Sequence, residues 1–474
     1  MEKFGIVLAA GKGTRMKSLD SNKSKVAFEI LGKPLVDYVL DALQFADVNE
    51  TVVITGFGGE ETTRIVESRA KTAVQKEING TGKAVETANI YLEGKPGTTI
   101  VMCGDTPLIK GETVKALFDY HIARGNDMTV ATMGLDNPKG YGRIIRGHGD
   151  EILAIREHKD CSESELNIRE VNSGLYVFDN ELLFEYLKEI KPNNSQNEYY
   201  LTDIVEIFNK NNKKVSAFVV DDEKEMFGIN DRKQLAYAAK VIQDRINDYW
   251  MINGVTIQDP RSTYIGPEVT IEQDTIIGPN TSILGNSRVG KANFIGPNSY
   301  LLNAVIGDNN KVLSSWLTDF TCGNENEIGP FTKTRAGTVL ENNCRVGNFV
   351  ELKDAHFHNG VKCAHLTYIG DAEVGEKTNI GCGTITANYD GFNKTRTSIG
   401  KECFVGSGTI MVAPITLEDQ SFTAAGSTIT KNVPTDTMSI ARARQVDLEH
   451  GYTTFRAKAK AKKEAALAAK KEGK

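Results

Sequence analysis

The sequence predicts an α/β protein in successive parts: an open, mostly parallel sheet with helices on both faces, a connecting helix, and a parallel β-helix of hexapeptide repeats. Three observations predict it. Residues 4–230 alternate strand-like and helix-like stretches, the order that builds a parallel sheet covered by helices. An aliphatic residue then recurs every six positions, at Ile265, Ile271, Ile277, Ile283, Val289, Ile295 and Leu301. A period of six suits neither a helix nor one strand, but it suits a coil of three short strands that each point one aliphatic side chain inward. Between the two regions, Leu235, Ala239, Ile242, Ile246 and Tyr249 fall on one face of a helix.

Taken in order, strands are expected at Phe4–Ala9, Thr51–Thr55, Thr99–Cys103, Met128–Met133 and Gly174–Phe178, and helices at Pro34–Phe45 and Gly111–Ala123. The connecting helix covers 232–250. Hexads run from about 252 to about 431. The register slips by one at Ile306 and Val312 and resumes at Ile328, Leu340, Val346 and Leu352, with Thr334 in one slot. The polar stretch Ala387–Thr397 breaks the rhythm and must leave the solenoid as a loop. Pro434 marks the end of the coils. The Ala-, Lys- and Arg-rich tail Phe455–Lys474 reads as a solvated helix.

Composition bounds the possibilities. At 474 residues, two or three domains are expected. A net charge of −6 argues against a nucleic-acid partner. No run approaches the roughly 18 apolar residues of a membrane span. Met1-Glu2-Lys3-Phe4 leads straight into a strand without a signal-peptide pattern, and the seven cysteines form no CxxC pair. A cytoplasmic protein with reduced, mostly buried thiols is expected.

Two local features suggest chemistry. Leu8–Met16 carries Gly11 and Gly13 directly after the first strand, with Arg15 and Lys25 following. It has neither the Walker lysine nor a third glycine. A phosphate-binding loop and a plain tight turn fit it equally. The strand Ile100–Cys103 ends in Gly104-Asp105. A carboxylate beyond the carboxyl end of a parallel strand is well placed for Mg²⁺, whereas an N-cap for the next helix, with Thr106 and Pro107, explains it as well.

Together these pieces resemble a known family. Leu8–Met16, Gln75 with Gly80-Thr81-Gly82, Cys103-Gly104-Asp105, Gly140-Tyr141-Gly142-Arg143, Glu157-His158-Lys159, Asn172-Ser173-Gly174 and Gly228-Ile229-Asn230 are similar to the ordered motifs of sugar-1-phosphate nucleotidyltransferases. Followed by hexapeptide coils, they resemble the bacterial bifunctional N-acetylglucosamine-1-phosphate uridyltransferase / glucosamine-1-phosphate acetyltransferases, over nearly the whole chain to about residue 450. The resemblance implies a Rossmann-like nucleotidyltransferase domain over 1–232, a linker helix at 233–253, a left-handed β-helix acetyltransferase domain over 254–454 and a basic tail at 455–474.

The same resemblance implies site residues. Leu8, Ala9, Ala10 and Gly11, with Gln75, Gly80 and Thr81, hold the uracil of UTP. Cys103, Gly104 and Asp105 complete the nucleotide site. Arg15 and Lys25 are catalytic and bind the triphosphate. Gly142, Glu157 and Asn172 hold the sugar, and Asp105 and Asn230 hold Mg²⁺. The segment Lys17–Phe28 is longer than usual in the family, so Lys23 is the alternative to Lys25. In the second half, His365 is the general base. Arg335, Lys353, Tyr368 and Asn379 bind glucosamine-1-phosphate, while Cys382, Asn388, Tyr389, Ser407, Ala425 and Arg442 line the acetyl-CoA site. The motif Gly381–Gly391 carries this half of the match. The implied role is supply of UDP-N-acetylglucosamine for peptidoglycan and lipopolysaccharide-type envelope polymers, by a homotrimer acting on small-molecule substrates. Two other readings remain at this point. The β-helix could only regulate or oligomerise a nucleotidyltransferase, or it could hold zinc through His356, His358 and His365, as in a γ-class carbonic anhydrase.

Overall fold

The computed structural model describes all residues except Lys12, Ser21, Asn22, Phe57, Gly473 and Lys474, and the side chains of 470–472. Lys12 of the first glycine loop, Ser21 and Asn22 of the segment before Lys25, and the end of the tail therefore lie outside the described residues. The chain divides into two compact units, Met1–Asn309 and Asn310–Lys474.

The first unit begins with β1 (Lys3–Ala9), the short hairpin β2 (Glu29–Ile30) and β3 (Lys33–Pro34), α1 (Leu35–Phe45), β4 (Glu50–Thr55) and α2 (Glu60–Val66). β5 (Lys71–Val74), α3 (Thr81–Glu86), α4 (Asn89–Leu92), β6 (Thr98–Cys103), α5 (Gly111–Arg124) and β7 (Met128–Gly134) follow. The sheet is completed by β8 (Arg143–Arg146), β9 (Ile152–Arg156), β10 (Glu170–Asp179), α6 (Asn180–Tyr186), α7 (Ile204–Lys210) and β11 (Val215–Val219). The strand order is β11-β7-β10-β6-β1-β4-β5. β6, β1, β4 and β5 run parallel, as do β7 and β11. β10 runs against both neighbours, so the sheet is mixed at its centre. Alternation along β1 sends Phe4 and Ile6 to one buried face, with the α3, α4, α6 and α7 side chains. Val7 and Ala9 go to the other, with α1 and α5, the period of two expected of a strand buried on both sides.

α8 (Arg232–Ile252) starts on the side chain of Asp231, which accepts from Gln234 N at 2.8 Å. Leu235, Ala239, Ile242 and Ile246 pack on one apolar cluster, as the spacing suggests, and only Tyr249, 58% exposed, departs from that face. Ala238, Gln243 and Asn247 are buried as well. Gln243 Nε2 donates to the carbonyls of Pro260, Arg261 and Thr263 at 3.1, 3.3 and 2.6 Å, and Asn247 Nδ2 donates to those of Pro260 and Thr263. The two carboxamides satisfy backbone acceptors at the start of the coils, which apolar side chains could not.

The hexads form parallel coils in each unit, a parallel β-helix. In the first, Ile265 pairs with Ile283, Ile271 with Val289 and Ile283 with Leu301. In the second, Val312 pairs with Ile328, Thr334 with Leu352 and Val346 with Cys363. Every aliphatic named in the repeat is buried. The slip at Ile306 is a coil one residue short, since Val289 pairs with Ile306. The coils outlast Pro434: Met438–Ser439 still pairs with Phe422–Thr423. Proline interrupts a ladder only where its nitrogen must donate, and Pro434 sits between paired segments rather than in one. The interruption after Ala387 projects outward, leaving Tyr389 and Phe392 exposed, and the chain re-enters at Thr397–Ile399. The tail is α9 (Gly451–Glu472), exposed along its described side chains. All seven cysteines are free thiols, with Cys322, Cys344, Cys363 and Cys403 buried. Among the described residues, no helix is long and apolar enough to cross a membrane.

Two candidate active sites

β1 and β6 are parallel neighbours with Leu8 in register with Cys103. Their carboxyl ends therefore open side by side, where an open α/β sheet binds ligands. A cleft of about 230 Å³ lies there. Leu8–Gly11 form one wall, Gln75, Gly80 and Thr81 another, and Lys25, Cys103 and Asp105 the third. Ile78 and Glu198 also line it; no motif marked them. The backbone is drawn in tightly. Gly104 N donates to Leu8 O at 2.9 Å, and a β-carbon on Gly104 would lie 3.2 Å from both Val7 and Val26. Gly80 has φ +129°, and a β-carbon there would collide with the backbone of Tyr199, so only glycine fits. Gln75 is buried and donates to Gly80 O at 3.3 Å. Burial pushes the Cys103 thiol up to about 12, which keeps it neutral.

The charged end of the cleft is made by three distant segments. Lys25 Nζ donates to Asp105 Oδ2 and lies 3.2 Å from Asn230 Oδ1, which also accepts from Arg15 at 2.9 Å. Ile229 N donates to Asp105 O at 2.9 Å, tying the Asn230 segment to the end of β6. Lys23 points elsewhere, 3.9 Å from Glu61. Asp105 is not a helix cap: Lys110 occupies the N-cap position of α5, and Thr106 Oγ1 closes the turn on Cys103 O at 2.8 Å. The carboxylate and amide oxygens converge on one ammonium, so they already present hard oxygen donors to a cation. That donor set fits a divalent ion in phosphate company.

The residues expected around the sugar also meet. Asn172 N donates to Gly142 O at 2.9 Å, and Asn172 Nδ2 donates to the Tyr176 hydroxyl at 2.6 Å. A β-carbon on Gly142 would lie 3.5 Å from Glu157 Oε1. Burial raises the Glu157 carboxyl above its usual range, against a bond from Thr202 at 3.3 Å. Thr202 and Tyr176 were not legible: Thr202 meets Glu157 across 45 residues, and Tyr176 meets Asn172 across a register irregularity within β10.

The second cluster lies on adjacent coils of the second unit. The strand Arg345–Phe357 pairs with Lys333–Arg335 on one side and with Lys362–Val374 on the other. Arg335, Lys353 and Gly370 thus stand in one row, and Glu351 and Tyr368 in the next. Lys353 Nζ bonds both oxygens of Asp371 at 3.0 and 3.2 Å, and Asn388 donates to the same carboxylate. Burial would push Asp371 up, but Lys353 and Asn388 outweigh it and hold its carboxyl below the usual range. Arg335 lies 3.5 Å from Glu351. Asp371 is the member the sequence did not reveal. His365 is exposed, opposite Asn348 on the preceding coil. Asn379 is paired with Lys362 on the preceding coil; among the described residues no side-chain hydrogen bond joins it to the Lys353 group.

Cys382, Ser407, Ala425 and Arg442 form a single file along one corner. Gly383 N donates to Leu366 O, Gly408 N to Cys382 O and Gly426 N to Ser407 O, at 2.7–2.8 Å. Arg442 ends the file on Ala425 O at 2.7 Å. The file starts beside His365. Tyr389, at the foot of the projecting loop, bonds Gly391 O at 2.5 Å. The zinc reading through three histidines is corrected: His356 and His358 group with Glu341 and not with His365, because His365 lies on the following coil in register with Asn348.

Comparison with known proteins agrees with this division. Residues 4–252 match the nucleotidyl transferase family, and residues 396–431 match the hexapeptide repeat of succinyl-transferase. The chain is 47% identical over 453 residues to a protein of Exiguobacterium sp. named Bifunctional protein GlmU, covering 96% of this chain and 100% of that one. It is 46% identical to the Shouchella clausii protein of that name, over 94% of this chain and 98% of the relative. With the Staphylococcus haemolyticus protein the identity is 44%, over 95% and 99%. With relatives so similar from end to end, and a charged cleft and a charged coil face on one chain, this protein belongs to the bifunctional GlmU family.

Proposed function

We propose that the chain makes UDP-N-acetylglucosamine in two steps on two sites. The observation that carries the reading is the convergence of Arg15, Lys25, Asp105 and Asn230 at the mouth of the Leu8–Gly11 cleft, on a chain that also bears the Lys353–Asp371–Asn388 cluster and, on the same strand as Asp371, the exposed His365. The assigned domains are 1–232 for uridyl transfer, 233–253 for the linker and 254–454 for acetyl transfer.

In the first step, the amine of glucosamine-1-phosphate attacks the thioester carbonyl of acetyl-CoA. An imidazole nitrogen of His365 takes the proton from the amine and returns it to the sulfur as the C–S bond breaks, so coenzyme A leaves as its thiol. Arg335, Lys353 and Tyr368, with Asn379, hold the sugar phosphate, and the file from Cys382 to Arg442 with Asn388 and Tyr389 holds coenzyme A.

In the second step, a phosphate oxygen of N-acetylglucosamine-1-phosphate attacks the α-phosphorus of UTP in line, and the bond to the β-phosphate oxygen breaks, releasing pyrophosphate. Such a transfer depends on alignment and charge neutralisation more than on an acid or base. Arg15 and Lys25 bind the phosphates; Gln75, Gly80 and Thr81 hold the base; Gly142, Glu157 and Asn172 hold the sugar. Asp105 and Asn230 would hold Mg²⁺, which neutralises phosphate charge when bound. Without ligand, Lys25 and Asp105 neutralise each other, so the charges stay paired until the phosphates compete for the lysine. The proposal includes a homotrimer whose loop 388–397 reaches a neighbouring subunit, and a cytoplasmic location.

The test uses two variants of the full chain. Asp105→Ala loses pyrophosphate release by at least about 10²-fold and keeps release of the coenzyme A thiol. His365→Ala does the reverse. If either variant, folded as judged by circular dichroism, loses both activities, the two-site reading fails.

A further inference from the structure

Two to three residues beyond the Lys353–Asp371 pair on the same strands, three successive coils of the second unit bring imidazoles and carboxylates together. His356 and His358 are two residues apart at the end of the strand Arg345–Phe357, so they face the same way. Their rings stack with centroids 4.4 Å apart. On the preceding coil, where Leu340 pairs with Phe357, Glu341 places Oε1 2.9 Å from His358 Nδ1 and 3.4 Å from His356 Nε2. One ligand atom from each of the three lies within 4.8 Å of the others. On the following coil, Glu373 pairs with His356 and takes His358 Nε2 at 2.9 Å. Its second oxygen lies 3.5 Å from Arg396, at the return of the projecting loop.

We propose that Glu341, His356 and His358 form a site for a transition-metal dication, zinc by preference, with Glu373 orienting His358 from behind. Two imidazole nitrogens and one carboxylate oxygen are a zinc donor set that leaves a fourth position open to water. Mg²⁺ and Ca²⁺ prefer oxygen throughout. The spacing suits it as well: metal–ligand bonds of about 2.0–2.1 Å at tetrahedral angles put donor atoms roughly 3.3 Å apart, close to the observed 2.9 and 3.4 Å. With Nε2–H donated to Glu373, the Nδ1 lone pair of His358 faces Glu341 and His356, the carboxylate–histidine–metal relation that fixes the ring and its tautomer.

A proton is the competitor. Burial would lower the His358 imidazole, but Glu373 and Glu341 outweigh it and raise it above its usual value. Metal entry displaces that proton, so affinity rises with pH through the histidine range. The groups facing His358 are Glu341, Glu373 and His356, with Arg396 behind Glu373. Bound zinc ties two consecutive coils through its ligands, and Glu373 links His358 to a third coil and, through Arg396, to the root of the loop.

The experiment is zinc competition against a chromophoric chelator, with full-length protein purified without a histidine tag and stripped with EDTA. One Zn²⁺ per chain is expected, tighter at pH 8 than at pH 6 and indifferent to millimolar Mg²⁺. His356→Ala and Glu341→Gln each weaken binding at least about 10-fold, and Glu373→Gln by roughly 10- to 100-fold. His148→Ala, at an exposed loop elsewhere, leaves it unchanged. Cobalt substituted for zinc gives the intense visible bands of a tetrahedral site. If the folded wild type binds zinc no more tightly than the His356→Ala/His358→Ala double variant, or cobalt shows only octahedral bands, the proposal is overturned.

Discussion

Lys25 and Asp105 are ion-paired across a sequence separation of 80 residues, and Asn230 Oδ1 lies 3.2 Å from the same ammonium. Two oxygens chosen from far apart in the chain thus hold a cation at the mouth of the Leu8–Gly11 cleft. The nearby Lys23, two residues earlier, lies against Glu61 and over the Phe28 ring instead.

That difference is expected to separate the two lysines in function. Lys25→Met is expected to lower kcat/KM for pyrophosphate release by about 10²- to 10³-fold, the usual cost of one charged donor to a transferring phosphoryl group. Lys23→Met is expected to stay within about twofold. Steady-state kinetics on both variants check this; an equal loss in each would contradict the assignment of Lys25.

Gly80 is held at φ +129° against the backbone of Tyr199, and Gly82 N donates to Tyr199 O at 2.8 Å. Gly80→Ala is expected to destabilise the chain by at least about 2 kcal/mol and to weaken UTP binding, because Gln75 loses its anchor on Gly80 O. Urea unfolding and isothermal titration with UTP measure the two effects separately.

His121 is buried, with Nδ1 2.9 Å from Thr129 Oγ1. Burial pushes its imidazole down to about 4, from 6.5. The unfolded chain takes up this proton near pH 6.5 and the folded chain refuses it until about pH 4, so stability falls as pH drops through that window. The contribution is at most about 3 kcal/mol. His121→Gln is expected to flatten this part of the stability profile, as read from urea midpoints between pH 4 and 7. An unchanged slope would mean that His121 titrates normally.

Gln243 serves three carbonyls at the start of the coils. Gln243→Leu is expected to cost about 1–3 kcal/mol, since buried acceptors lose a donor, although the apolar replacement raises hydrophobicity. Adding Asn247→Leu, which removes the second donor to Pro260 and Thr263, is expected to cost more than the sum of the single changes. Thermal unfolding of the three variants provides the comparison.

The repeat, the alternation of strands and helices, and the expelled loop were legible in the sequence by itself. Each is a local rule. An inward position must be filled by something that packs, and Ile265 through Leu301 are filled and buried; the stretch after Ala387 offers no aliphatic at that spacing before Ile399 and leaves the coil. The glycine loop and Asp105 were also readable, as residues awaiting partners. The tertiary structure decided which partners they met. It brought Lys25, and not Lys23, to Asp105, gave Lys353 its carboxylate in Asp371, turned β10 against its neighbours, and buried Gln243 and Asn247 of α8 alongside its apolar face. Those choices depend on hydrogen-bond and charge pairing between segments far apart in the chain, and periodicity, which reports only what neighbouring residues share, carries no record of them.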